Sequence, residues 1–174
     1  MAIRWANVPI PETYVAALMG AGLMRVIAPI RAPLSRSTAR IAGWPMLAGG
    51  IGMAAWAVVS AGEADVERDS ELVTAGAYAV SRNPMYEGWS AAVLGLATIR
   101  RDPWLLAAWL LATRALHDEI LGEEVRLSRR FGDAFGAYRR AVPRYLTLRR
   151  RPPGPRGARE QSSPGASRAA TPGA

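Results

Sequence analysis

The sequence predicts an all-α, multi-pass membrane protein, and three observations carry that expectation. Ile41 to Ala61 is a run of 21 residues without a charge, close to the roughly 20 apolar residues that cross a bilayer core. Two shorter apolar stretches flank a compact Arg100-Arg101-Asp102-Pro103 turn. Arginine is concentrated outside these stretches, with ten arginines from Met1 to Ile120 and twelve from Leu121 to Ala174. About four membrane helices follow, including a C-terminal helical hairpin, and then an amphipathic cytosolic helix.

The first stretch, Thr13 to Ile30, is interrupted only by Arg25, whose long side chain can snorkel to the headgroups. The second is Ile41–Ala61, where Gly43, Gly49, Gly50, Gly52, Ala54 and Ala55 allow helix backbones to approach closely in lipid. The third and fourth, Gly88–Ile99 and Pro103–Thr113, form the hairpin. Between the second and third lies a polar loop, acidic at Glu63, Asp65, Glu67, Asp69 and Glu71. After the fourth comes the charged helical segment His117–Arg151, which Pro143 should end. Residues 1–151 thus make one membrane domain. Residues 152–174, rich in Pro, Gly, Ser and Arg, have too little apolar surface to fold and read as a disordered tail.

Composition removes several chemistries. Cysteine is absent and all 22 basic residues are arginine. Disulfides, thiolate nucleophiles, Schiff-base lysines and P-loops are therefore excluded. A single histidine, with no ligand at i+3 or i+4, excludes a helical metal site, so none is expected. The net charge of +8 suits an anionic membrane surface better than nucleic acid, because the arginines adjoin membrane helices. Nine arginines between His117 and Arg151 place that side, and the C-terminus, in the cytoplasm. Arg31, Arg36 and Arg40 then fall on the far side, against the positive-inside rule.

Two local features carry chemistry. Asn83 followed by Pro84 reads as N-cap and first residue of a helix, and such an N-terminus can hold an anion. Asp118, Glu119, Glu123 and Glu124 put four acids where a membrane helix leaves the bilayer. Taken alone, each has a plain structural reading, with Glu123 paired to Arg126 and Glu124 to Ser128.

In order and spacing they say more. Leu72-Val73-Thr74-Ala75-Gly76-Ala77-Tyr78, Arg82-Asn83-Pro84-Met85-Tyr86-Glu87-Gly88, the hairpin, Glu123-Glu124, Phe131-Gly132, Tyr138 and Val142-Pro143-Arg144 together resemble the isoprenylcysteine carboxyl methyltransferase family and its phospholipid N-methyltransferase relatives. The resemblance implies an integral membrane methyltransferase using S-adenosylmethionine, with the bilayer and a lipophilic or small methyl acceptor as partners. It implies that Leu72, Val73, Tyr78, Asn83, Pro84, Met85, Tyr86 and Glu123 bind the cofactor. Two departures matter. Asn83 stands where the family often has histidine. Glu119 stands where the prenylcysteine enzymes place a substrate-facing arginine, which makes it a substrate-binding candidate that disfavours an anionic acceptor. An NADPH-dependent membrane reductase with a similar C-terminal motif, and a non-catalytic membrane scaffold, are the alternative readings.

Overall fold

The computed structural model describes residues 12–62 and 71–146. The acidic loop residues 63–70 and the tail 152–174 lie outside the described residues. Among those described the fold is entirely helical: α1 (Glu12–Ile27), α2 (Arg36–Ala61), α3 (Pro84–Arg100) and α4 (Pro103–Ala141), with one 3₁₀ turn at Gly76–Ala79. The four helices run alternately up and down. One end therefore carries the C-terminus of α1, the N-terminus of α2 and the α3–α4 turn. The other end carries the 3₁₀ turn and the start of α3.

Of the four, α2 is long and apolar enough to cross a membrane; its 26 residues span roughly 39 Å. It begins ahead of the apolar run because Ser35 caps it, accepting from the Thr38 amide at 3.1 Å. The burial pattern is inverted relative to a water-soluble bundle. Half of the buried apolar residues are alanine, whereas Met19, Val26, Ile41 and Leu111 are at least 70% exposed. Large apolar faces of this kind are not left to water by stable monomers.

The densest packing joins α2 to α3 rather than the two arms of the hairpin. Gly43 opposes Gly95 and Gly50 opposes Gly88. A methyl on Gly50 would lie 2.4 Å from the Ala92 nitrogen, and one on Gly95 would lie 2.5 Å from the Leu47 nitrogen. Glycines spaced by seven on both antiparallel helices thus let the backbones touch.

The hairpin turn is as compact as expected. Asp102 caps α4, accepting from the Trp104 amide at 3.0 Å, and it is also ion-paired with Arg25. The expected separate amphipathic helix is corrected: α4 runs without interruption from the apolar arm into the charged segment. Gly122 keeps helical geometry within it, and the first departure is at Gly132, where a φ of 50° kinks the helix. α4 ends at Ala141, just before Pro143. Across the bundle, Tyr14 shares a hydrogen bond with Thr113 at 3.0 Å, and the Trp109 indole donates to Ser90 at 2.8 Å.

Candidate functional site

The site begins where the chain leaves α2. Gly76 has a φ of 60°, and a side chain there would meet Ser60 Oγ at 2.2 Å. Glycine is required on both counts. Ser60 Oγ accepts from the Ala77 amide at 2.9 Å and donates to the Trp56 carbonyl at 2.7 Å, which docks the 3₁₀ turn onto the end of α2. The turn buries Tyr78, and the Tyr138 hydroxyl donates to the Tyr78 carbonyl at 2.7 Å. Burial, with the Glu123 charge adding to it, pushes the Tyr78 phenol up to about 12.

The helix starts at Pro84 with Asn83 at the N-cap position, but the Asn83 side chain does not cap it. Its Nδ2 instead donates to the Arg144 carbonyl at 3.0 Å. A buried amide bonds to whatever acceptor it meets, and here that is the segment Val142–Leu146, which crosses the N-terminus of α3 as a strap. The Arg82 amide donates to the Pro143 carbonyl at 3.0 Å. Ser81 Oγ, fully buried, donates to Glu87. The Leu146 amide donates to the same carboxylate at 3.1 Å.

The adjacent glutamates of α4 part company. Glu124 is buried and receives two hydrogen bonds from Arg144, at 2.9 and 2.7 Å, while Arg82 approaches at 3.1 Å. Its partners are therefore these two distant arginines, not Ser128. Burial alone would raise the Glu124 carboxyl, but the Arg144 hydrogen bonds and the Arg82 and Arg144 charges outweigh it and hold the group below its ordinary value. Arg144 is raised by its hydrogen bonds to Glu124. Glu123, one position earlier and turned by about 100°, faces elsewhere.

Glu123 lines a narrow crevice of about 50 Å³ with Leu72, Val73, Tyr78, Arg82 and Tyr138. Four of the expected cofactor residues, Leu72, Val73, Tyr78 and Glu123, thus meet in one place. Tyr86 feels the Glu123 charge but lines a second, larger cavity. Asn83, Pro84 and Met85 are buried at the start of α3, behind the crevice rather than on its wall. Glu119 is exposed on the other flank and accepts from Thr13 at 2.7 Å.

The second cavity, of about 570 Å³, has walls from Met46, Leu94, Leu110 and Ile120 and polar groups from Tyr86, Glu87 and His117. His117 Nδ1 lies 2.7 Å from the Tyr145 hydroxyl, so the strap closes one side of this cavity as well. Three groups were missed from the sequence. Arg82 opens the Arg-Asn-Pro run and was passed over for its neighbours. Glu87 and the His117–Tyr145 pair depend on the strap, for which the sequence carries no pairing signal.

Among the described residues, Arg82 holds the most unsatisfied buried donors. Its side chain is 10% exposed, yet Nε and Nη1 are buried without a hydrogen-bond partner. Each such orphan donor costs on the order of 1–3 kcal/mol. Burial accordingly lowers the Arg82 pKa. A buried cation with two free donors on the wall of a crevice is suited to an anionic group.

Comparison with known proteins agrees with this arrangement. The family model described as Phospholipid methyltransferase matches residues 38–134, from the first turn of α2 to just beyond the kink in α4. Neither a curated protein nor a solved structure gives a match. The matched segment is more than half of the chain and contains α3 whole, the Gly76 turn and both α4 glutamates. The chain belongs to the phospholipid methyltransferase family of membrane methyltransferases.

Proposed function

We propose that this methyltransferase takes its methyl group from S-adenosylmethionine and passes it to a lipophilic or small acceptor drawn from the bilayer. The observation that carries the reading is a pair of separate cavities of different character: a crevice lined by Arg82 and Glu123 and a larger apolar cavity lined by Tyr86. A charged donor from the cytoplasm and an apolar acceptor from lipid need two entrances of this kind.

The crevice residues fit the donor chemically. The cofactor carries a carboxylate, an ammonium, ribose hydroxyls and a flat base. The unpartnered Arg82 donors suit the carboxylate, Glu123 suits hydroxyl or ammonium groups, and Leu72 and Val73 offer an apolar flank. When bound, S-adenosylmethionine supplies an electrophilic methyl on its sulfonium. Pockets for ligands of that size hold several hundred Å³, so the crevice must widen to take the cofactor. Asn83, Pro84 and Met85 set the position of the crevice wall from behind. Tyr86, on the wall of the larger cavity and within the field of Glu123, would position the acceptor. Alignment of this kind is the main source of rate in a displacement reaction.

In this reading α1, α2, α3 and the apolar arm of α4 all lie in the membrane, with their outward faces against lipid. The candidate site and the C-terminus face the cytoplasm. Glu119, one turn before Glu123, biases the acceptor toward amine, thiol or neutral groups.

Calorimetry on the detergent-purified chain tests the proposal, with binding of S-adenosylmethionine and its demethylated product expected. Binding of NADPH instead would favour the reductase, and binding of none of the three would favour a scaffold. Methyl transfer from labelled cofactor into a fractionated lipid extract then identifies the acceptor.

A further inference from the structure

The end of the bundle opposite the candidate site has a chemistry of its own. Arg25, Arg31, Arg36, Arg40, Arg100 and Arg101 line one cavity of about 260 Å³. They come from three places: the end of α1 with its following loop, the first turns of α2, and the α3–α4 turn. Asp102 is the one acid that the described residues place at this end, and Arg25 takes it. Arg101 is committed to the Leu34 carbonyl at 3.0 Å. Arg31, Arg36, Arg40 and Arg100 have no ion pair among the described residues. The first turn of α2 holds no acidic residue, so the positive end of that helix dipole adds to the field.

Converging guanidiniums repel, and they stay together only with an anion among them or water to screen them. Here one side of the cluster adjoins apolar surface. Val26, Ile27, Ile30 and Ile41, next in sequence to these arginines, are 50–80% exposed, and Trp44 is 57% exposed. A ligand seated here has its charge among arginines and its neighbours on an apolar surface. Guanidinium forks match phosphate oxygens. A soluble phosphate would use the arginines and leave the apolar rim uncovered.

We propose that this cavity binds the phosphodiester headgroup of an anionic phospholipid, with the acyl chains lying along the outer faces of α1 and α2. The site is independent of the methyl-transfer reading, because none of its residues lines either of the other cavities. It also gives a reason for arginines at the end where the positive-inside rule disfavours them: each is neutralised by lipid rather than left free.

The test titrates the full chain in detergent with phosphatidylglycerol, phosphatidylcholine and inorganic phosphate and reads retained ligand by native mass spectrometry. Phosphatidylglycerol should bind at least tenfold tighter than phosphatidylcholine. Each arginine near an anionic surface is worth on the order of a fivefold change in affinity. The triple variant Arg31→Gln/Arg36→Gln/Arg40→Gln should therefore weaken phosphatidylglycerol binding about 100-fold. The same charge removed at the other end, Arg126→Gln/Arg129→Gln/Arg130→Gln, should leave it within twofold. Circular dichroism checks the helices, and if the triple variant loses them, single Arg40→Gln should still lose about fivefold. Equal losses in the two triple variants would mean net charge alone and overturn the site. Inorganic phosphate displacing the lipid at comparable concentration would overturn the lipid assignment. Equal retention of both lipids would overturn both.

Discussion

Replacing the two adjacent glutamates of α4 by alanine, one at a time, should separate binding from stability. Glu124 is 8% exposed and neutralises two arginines. Glu124→Ala leaves Arg82, already holding two orphan donors, without its ion-pair partner among the described residues. Breaking a buried ion pair costs about 3–5 kcal/mol. Arg144, whose side chain is 32% exposed, recovers some hydration, so the lower figure of about 3 kcal/mol applies. For a chain of this size that lowers Tm by about 6–12 °C. Glu123→Ala removes a crevice carboxylate that neutralises neither of those arginines. Its cost falls on cofactor affinity, at about 1.5–3 kcal/mol for a charged hydrogen bond, or about 10- to 150-fold in Kd. Thermal unfolding in detergent and calorimetry with S-adenosylmethionine measure the two effects. The pH dependence has a definite sign. Glu124 sits below its ordinary value when folded, so its contribution is full above the unfolded pKa of about 4.3 and fades as pH falls through the folded one. The Tm gap between wild type and Glu124→Ala should therefore narrow under acid. Equal Tm losses for both variants, or an affinity loss confined to Glu124→Ala at unchanged Tm, would refute the division of labour.

Other changes probe the frame. Gly50→Ala places a methyl 2.4 Å from the Ala92 backbone and should cost at least 1–3 kcal/mol, whereas Gly49→Ala meets open space and should be neutral or stabilising by up to about 1 kcal/mol; thermal unfolding compares them. Gly76→Ala collides with Ser60 at a positive φ and should lower both Tm and cofactor affinity, because the 3₁₀ turn carries Tyr78 into the crevice. Deleting residues 152–174 should leave helicity and turnover unchanged, and a truncated chain that no longer inserts would contradict this. Glu119→Arg should shift acceptor preference toward carboxylates in a competition assay of farnesylcysteine against amine or neutral lipids. Efficient methylation of the farnesylcysteine carboxylate by the unmodified protein would remove the basis for that expectation.

The helix boundaries were legible wherever a proline follows a small polar residue. Asn83-Pro84 and Asp102-Pro103 open α3 and α4 as written, because proline at the first helical position loses no hydrogen bond. Helix pairing was not legible from hydropathy. The short turn suggested that α3 leans chiefly on α4, yet its closest partner is α2. The signal lay in the spacing of Gly43 and Gly50 against Gly88 and Gly95, which apolar periodicity does not register. The continuity of α4 was hidden by composition, since the change from apolar to charged looked like a boundary between elements. A helix backbone is indifferent to that change: α4 passes through it, kinks at Gly132 and ends at Ala141, ahead of Pro143. The Leu72, Val73, Tyr78 and Glu123 cluster was legible only through motif order, because its members come from a loop, a 3₁₀ turn and a distant helix. Arg144 and Tyr145 were illegible as partners of Glu124 and His117, since nothing local fixes where a strap after a helix end will lie.

That strap ties the two cavities into one device. Five consecutive residues, Val142 to Leu146, link them: Tyr145 lines the apolar cavity, and the Pro143 carbonyl accepts from the amide of Arg82, which lines the crevice. Arg144 anchors the Glu124–Arg82 group behind the crevice, its carbonyl takes the Asn83 amide, and Tyr145 reaches His117 on the wall of the apolar cavity. Leu146 satisfies Glu87, which otherwise would be a carboxylate facing an apolar space with one hydroxyl for company. The positions of Arg82 and His117, on the walls of separate cavities, are thus set by the same short piece of chain. A structural strap of this kind explains why Val-Pro-Arg belongs with the Arg-Asn-Pro and Glu-Glu runs although it lines neither the crevice with its own carboxylates nor the membrane with apolar surface. Pro143 ends α4 and turns the chain back, the Pro143 and Arg144 carbonyls accept from the start of α3, and the Arg144 guanidinium closes the circuit to α4. Loss of any one of these contacts loosens both cavities together, so mutations in the strap should never affect one without the other.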